Sequence, residues 1–214
     1  MTLPIGRPAA LLVVAPHPDD EAIGAYTLMT RLRRRGVRVA VLIVSDGAAS
    51  HPNSKRWPPT RLIRERQREA RCVLRPIGVT RDSIRFLALP DGGLAGHDRA
   101  IRHAIARSLA ALPHPVVALS PAMTDDHPDH RAVARAVRRQ AGVRWRHYPV
   151  WPAGQRLRGG RPLHLSAQER LAKRHAIRRY RTQAGRITDD PTGFAMTRQQ
   201  IAAFSRPQEW FAPA

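Results

Sequence analysis

Two short stretches concentrate the residues able to do chemistry. Residues 15–21 read "APHPDDE", one histidine and three carboxylates directly behind the hydrocarbon run "LLVV". Residues 125–130 read "DDHPDH", two histidines three positions apart with carboxylates around them. Burying so much charge is costly unless it is paired or bound to a metal. Acidic residues at a helix start can serve the dipole and capping alone. That would account for Asp19, Asp20 and Glu21, but not for His17 or the proline that follows it. Imidazole and carboxylate on a rigid turn are ligand chemistry for zinc. One such segment alone could be a salt-bridged polar cluster; two, at equivalent places in the chain, predict a metal site.

The elements that position these segments alternate. Leu11–Ala15 and Val37–Ser45 read as buried strands, as do Ile84–Leu89, Val116–Ser120 and Arg144–Val150. Between them, Glu21–Arg35, Arg61–Leu74, Arg99–Leu112 and Pro128–Gln140 carry apolar residues at helical spacing, and Ser166–Gln183 is a further amphipathic helix. Gly36 and Pro76 lie where the first two helices should stop. Strands alternating with helices predict a parallel sheet covered on both faces, a three-layer α/β/α domain. In the commonest doubly wound order strands one and four are neighbours, and ligands bind outside their carboxyl ends. The two His-Pro-Asp segments would then face each other across that crevice. Residues 46–60 and 151–165 read as long loops rimming the site. Residues 1–185 form the expected domain, and 186–214 a tail that packs on it through Trp210 and Phe211.

The chain has 214 residues and a hydrophobic fraction of 43%, enough for one domain with a sizeable core. Its single cysteine, Cys72, excludes an internal disulfide and reads as a buried, inert thiol. No apolar run approaches the ~20 residues of a spanning helix. With no cleavable leader recognisable either, a cytoplasmic location is expected. The net charge is +21, and all but two of the 37 basic residues are arginine, Lys55 and Lys173 being the exceptions. Such a charge suits an anionic partner, yet the arginines are scattered over helix faces. No nucleic-acid motif is present, and aromatics are only 5% of the chain.

In its motifs the sequence resembles the PIG-L/LmbE-like family of zinc-dependent N-acetylglucosaminyl deacetylases. The resemblance rests on "APHPDDE" and "HPDH", with support from "SDGAAS", "RQREARCVLRPIGV", "LPDGGL" and "KRHAIRRYRTQ". It implies a Rossmann-like fold. It implies that His17, Asp20 and His130 ligate the metal and that Asp19 is the general base. His127 would stabilise the oxyanion or protonate the leaving amine, with Asp129 steadying it from behind. Arg66 and Asp91 match positions that touch the sugar in some members. Glu21 would favour the helix or bond a ligand from behind.

The expected activity is therefore removal of an acetyl group from an N-acetylated amino sugar or glycoconjugate, in which an anionic or lipid-linked portion would suit the charge. Two histidines and a carboxylate leave an open metal position, as catalytic sites require. The same set also holds Fe2+, so another divalent metal is an alternative to Zn2+. Hydrolysis of another amide, as in a sugar–thiol conjugate, is the alternative within this chemistry. From a different class, a basic protein binding nucleic acid or an anionic surface would explain the charge but not the paired motifs.

Overall fold

The computed structural model describes residues 5–140 and 142–214. The N-terminal stretch from which the sequence predicts no cleavable leader begins outside them. The strands are β1 (Ala10–Ala15), β2 (Arg38–Ser45), β3 (Ile84–Leu89), β4 (Val116–Pro121), β5 (Arg144–Tyr148), β6 (Arg161–His164) and β7 (Gln208–Pro213). The helices are α1 (Asp20–Arg34), α2 (Pro59–Leu74), α3 (Asp98–Ala110), α4 (Pro128–Val137), α5 (Ala167–Arg178) and α6 (Arg198–Phe204).

The seven strands form one sheet in the order β3-β2-β1-β4-β5-β7-β6. The first five pair in parallel, with Ala10 opposite both Arg38 and Val116. β7 is antiparallel to both of its neighbours. Alternation along β1 divides the core. Leu11, Val13 and Ala15 face a layer that includes α1, the end of α2 and α5, whereas Leu12 and Val14 face α3 and α4. Burial on both faces is why β1 is hydrocarbon throughout.

The expected fold is present, and β1 and β4 are adjacent at the point where the strand order reverses. Three features differ from expectation. Residues 161–164, expected as loop, form an edge strand against β7; a four-residue run containing Pro162 carries no alternation signal of its own. The helix expected to run to Gln183 ends at Arg178. Beyond it, Tyr180 turns into the core and the Thr182 N–H donates to Glu69. Cys72 is half-buried rather than buried.

The last strand also repairs the first helix. α1 departs from helical geometry at Ala25 (φ −144°, ψ 17°). Past this kink, the N–H groups of Thr27 and Leu28 donate to the two Glu209 carboxylate oxygens at 2.8 and 3.0 Å. The buried Lys173 ammonium completes the set at 3.0 Å. Just upstream, Gly24 lies against the Tyr148 ring, where a Cβ would come within 2.1 Å of it. Only glycine allows β5 to close on α1 there.

Candidate metal centre

The two His-Pro-Asp segments meet at the carboxyl ends of β1 and β4. In the second, His127 is the N-cap of α4, its Nδ1 accepting the Asp129 N–H at 3.2 Å, and Pro128 occupies the first helical position. His130 then lies one turn in and points back across the crevice. In the first, Asp19 precedes α1 in a left-handed conformation (φ 142°), rare for a residue with a side chain. Its N–H donates to Glu21 Oε2 at 3.2 Å, and Glu21 Oε1 accepts the Tyr180 hydroxyl proton. Glu21 is fully buried and holds the turn from behind.

Three donor atoms converge. His17 Nδ1, Asp20 Oδ2 and His130 Nε2 are 3.2 Å from one another along each side of a triangle. A tetrahedral ion with ligands at ~2.0–2.2 Å sets its donors about 3.3–3.6 Å apart. The residues thus fit a single divalent cation, with little movement. The other nitrogen of each imidazole faces a carboxylate, as in metal sites that fix ring orientation from behind. His17 Nε2 lies 3.1 Å from Asp91 Oδ1 and 3.3 Å from Asp129 Oδ2. His130 Nδ1 lies 3.1 Å from Asp125 Oδ1.

The electrostatics follow from this crowding. Burial works to lower His17 and His130, but the surrounding carboxylates outweigh it, raising His17 well above the usual range and His130 to about 9. Burial works to raise Asp20, and the facing imidazoles hold it well below the carboxylate range. Asp19 is pushed up to about 8 by burial, with Arg66 pulling the other way. A cation in the triangle would add to that downward pull. His127 is lowered by burial and then by the charges of His17 and His130.

A cavity of about 610 Å³ opens on the cluster, lined by His17, Asp19, Asp20, Arg66, Asp91 and His127 among others. Asp129 departs from the role expected of it. Its carboxylate accepts the Gly92 and Leu94 N–H groups at 2.8 and 3.0 Å and contacts His17, while only its backbone reaches His127. Arg66 donates to the Gly47 and Pro18 carbonyls and lies 3.6 Å from Asp19. Gly47 (φ +72°) leaves room for that guanidinium, because a Cβ there would come within 2.6 Å of it. Both Asp91 oxygens are engaged, one by His17 and one by the Ala49 N–H. Of the tryptophans, Trp151 lines the cavity; Trp57 and Trp145 are buried elsewhere. His51 packs against Gly193 and contacts the Ser50 hydroxyl rather than lining the cavity itself.

Sequence reasoning missed four contributors. Asp125, in the second motif, is buried behind His130; its place in "DDHPDH" was the available signal. Phe194, Met196 and Gln200 of the C-terminal segment line the cavity, and no local pattern pointed to them.

Fold and cluster together define the class: a doubly wound α/β protein with an imidazole–carboxylate cluster of metal-ligand geometry at its switch point. The profile of PIG-L, GlcNAc-PI de-N-acetylase, matches residues 12–141. The chain belongs to this family. It is 29% identical over 154 residues to a 2'-N-acetylparomamine deacetylase of Streptomyces fradiae, covering 64% of this chain and 53% of that one. Over 91 residues it is 32% identical to a 1D-myo-inositol 2-acetamido-2-deoxy-alpha-D-glucopyranoside deacetylase of Kineococcus radiotolerans, covering 41% of this chain and 25% of that one. The chain thus spans about half the length of the first relative and a quarter of the second. Among solved structures, the A40926 pseudoaglycone deacetylase Dbv21 superposes with a TM-score of 0.72 at 22% identity, covering 95% of this chain and 96% of that one. At that identity the likeness establishes the fold.

Proposed function

We propose that this protein is a metal-dependent hydrolase that removes the acetyl group from an N-acetylated amino sugar or glycoconjugate. The observation that carries this reading is the triangle of His17, Asp20 and His130 donor atoms beside a cavity that Asp19 and His127 also line. Family membership and the acetamido-sugar substrates in the relatives' names support it. The donor set suits zinc, and ferrous iron or another divalent ion after it. Such an ion, when bound, acidifies water towards neutral pH and polarises a carbonyl.

The chain's own residues supply the proton traffic. Asp19 takes a proton from the attacking water as general base. Because His127 Nδ1 accepts the Asp129 N–H, a neutral His127 carries its proton on Nε2. That N–H is a donor for the negative oxygen that develops on the amide carbon, a role worth ~10²–10³ in rate. A neutral imidazole so tied is a poor acid, so the proton acquired by Asp19 is the one passed to the departing amine. Asp91 and Asp129 orient His17, and Asp125 faces His130. Arg66 braces the turn that carries Asp19.

The test is acetate release from N-acetylglucosamine conjugates by the purified protein, before and after chelation. Asp20→Ala should abolish release. Full activity in the metal-free protein would refute the proposal.

A further inference from the structure

The cavity has two unlike walls. One is the polar cluster, whose six residues lie between His17 and His130 and so within the segment matched by the family. The other is mainly apolar, with Ile23, Trp151, Phe194 and Met196, and carries the amides of Gln183 and Gln200. Trp151, Phe194 and Met196 lie beyond the matched segment, in the last third of the sequence.

The wall is built rather than incidental. The Trp151 N–H donates to Asp125 Oδ2 at 2.9 Å. The Trp151 ring packs edge-on against Phe204 at 5.1 Å and against Phe194 at 6.0 Å. The Phe194 N–H donates to the Ser50 carbonyl at 2.7 Å, which ties its segment to another residue of the lining. Phe194 nevertheless stays 38% exposed, one of two large hydrophobic residues left so among the described residues. An aromatic side chain held at the mouth of a cavity and still open to water is one that a ligand can cover.

We propose that this wall is a subsite for an apolar aglycone, so that the substrate is an acetamido sugar glycosidically linked to an aromatic or alkyl group. The inference rests on the deacetylase reading, since the metal cluster must face the acetamide for the aglycone to reach Trp151 and Phe194. About 610 Å³ is more than a single hexose requires and lies mid-range for sites of ~300–1,000 Å³ that take drug-sized ligands. Trp151, Phe194 and Met196 offer apolar contact to an aryl or alkyl group, and Gln183 and Gln200 are the amide side chains beside them that a polar second sugar would have to use instead. A pocket that takes up extra apolar groups discriminates by ~10–200-fold.

The experiment compares kcat/KM for three N-acetylglucosaminides on the holoprotein, with methyl, 4-nitrophenyl and N-acetylglucosaminyl aglycones. The aryl glycoside should exceed the methyl glycoside by about tenfold or more, mainly through KM, and should exceed the polar disaccharide of similar size. In Phe194→Ala that aryl-to-methyl ratio should fall towards one; the ratio is independent of any common loss of rate. Phe194→Leu should restore part of it. Equal rates on aryl and methyl glycosides, preference for the disaccharide, or a ratio unchanged in Phe194→Ala would each overturn the subsite. Calorimetric binding of the aryl glycoside separates the two readings. Binding that depends on Phe194 without any acetate release would sustain the subsite and refute the deacetylase, whereas release with no aglycone preference would do the reverse.

Discussion

Asp125 joins His130 to the loop that carries Trp151: one carboxylate oxygen lies 3.1 Å from His130 Nδ1, and the other accepts the Trp151 N–H at 2.9 Å. The first oxygen also accepts the His127 N–H at 3.0 Å. A single buried carboxylate therefore faces the His130 ring, engages the N-cap of α4 and anchors the loop that carries Trp151. Asp125→Asn keeps the shape and removes the charge. Metal affinity should fall ~10–100-fold, as for other groups that orient a ligand from behind. Competition with a chromophoric chelator measures this; unchanged affinity would reduce Asp125 to a loop anchor.

Adjacent Asp19 and Asp20 should separate cleanly by substitution. Asp20 Oδ2 is a corner of the donor triangle, whereas Asp19 stands outside it. Asp20→Asn is expected to lose bound metal. Asp19→Asn should keep the metal and lose ~10²–10⁴ in kcat, the usual worth of a general base. Elemental analysis and acetate release read the two effects; a fully active Asp19→Asn protein would remove Asp19 from the mechanism.

On the proposed reading, metal removal should lower thermal stability, because residues 17, 20 and 130 come together to hold a cation only in the folded protein. At a free metal concentration 1,000 times Kd, linkage contributes ~4.1 kcal/mol. For a chain of this size that is roughly 8–16 °C in Tm. Differential scanning calorimetry with and without chelator tests it, and identical melting curves would contradict a cation at this site.

Glu209 caps the kink in α1 and neutralises buried Lys173. Glu209→Gln leaves that ammonium buried without its counter-charge and should cost about 3–5 kcal/mol in urea unfolding. Adding Lys173→Met should recover most of the loss. If the double variant is no more stable than the single one, the ion pair is not the source of the cost.

On the surface, Glu169 is held down to about 2, first by its hydrogen bonds from Arg31 and also by the α5 capping box. Its folded value lies below the ordinary 4.5. The stability it contributes is therefore complete above that value and is lost as pH falls through the interval towards 2. Glu169→Gln keeps the capping partner, so its urea midpoint should lie below that of the unsubstituted protein at pH 7 and converge on it near pH 2. A gap that persists in acid would assign the effect to packing.

Much of the fold was legible locally. Unbroken runs such as "ALLVVA" mark strands buried on both faces, and the helices declared themselves by period and by stops such as Gly36. The edge strand β6 was not legible. Four residues carry too little pattern, and its pairing with β7 joins segments far apart in the chain. The kink at Ala25 was hidden for the same reason, since its cap comes from Glu209.

By itself, the sequence determined the ingredients of the site: which imidazoles and carboxylates exist, and that each His-Pro-Asp step lies between a strand and a helix. Proline and helix capping act over a few residues, so a short stretch specifies them. Tertiary structure alone decided which nitrogen of His17 turns towards Asp20, that the Asp129 carboxylate serves His17 rather than His127, and that Phe194 closes the cavity. Those outcomes depend on contacts between residues more than a hundred positions apart, such as His17 with His130 and Asp129, and Phe194 with Ser50, and distances across such gaps are set by how the layers pack.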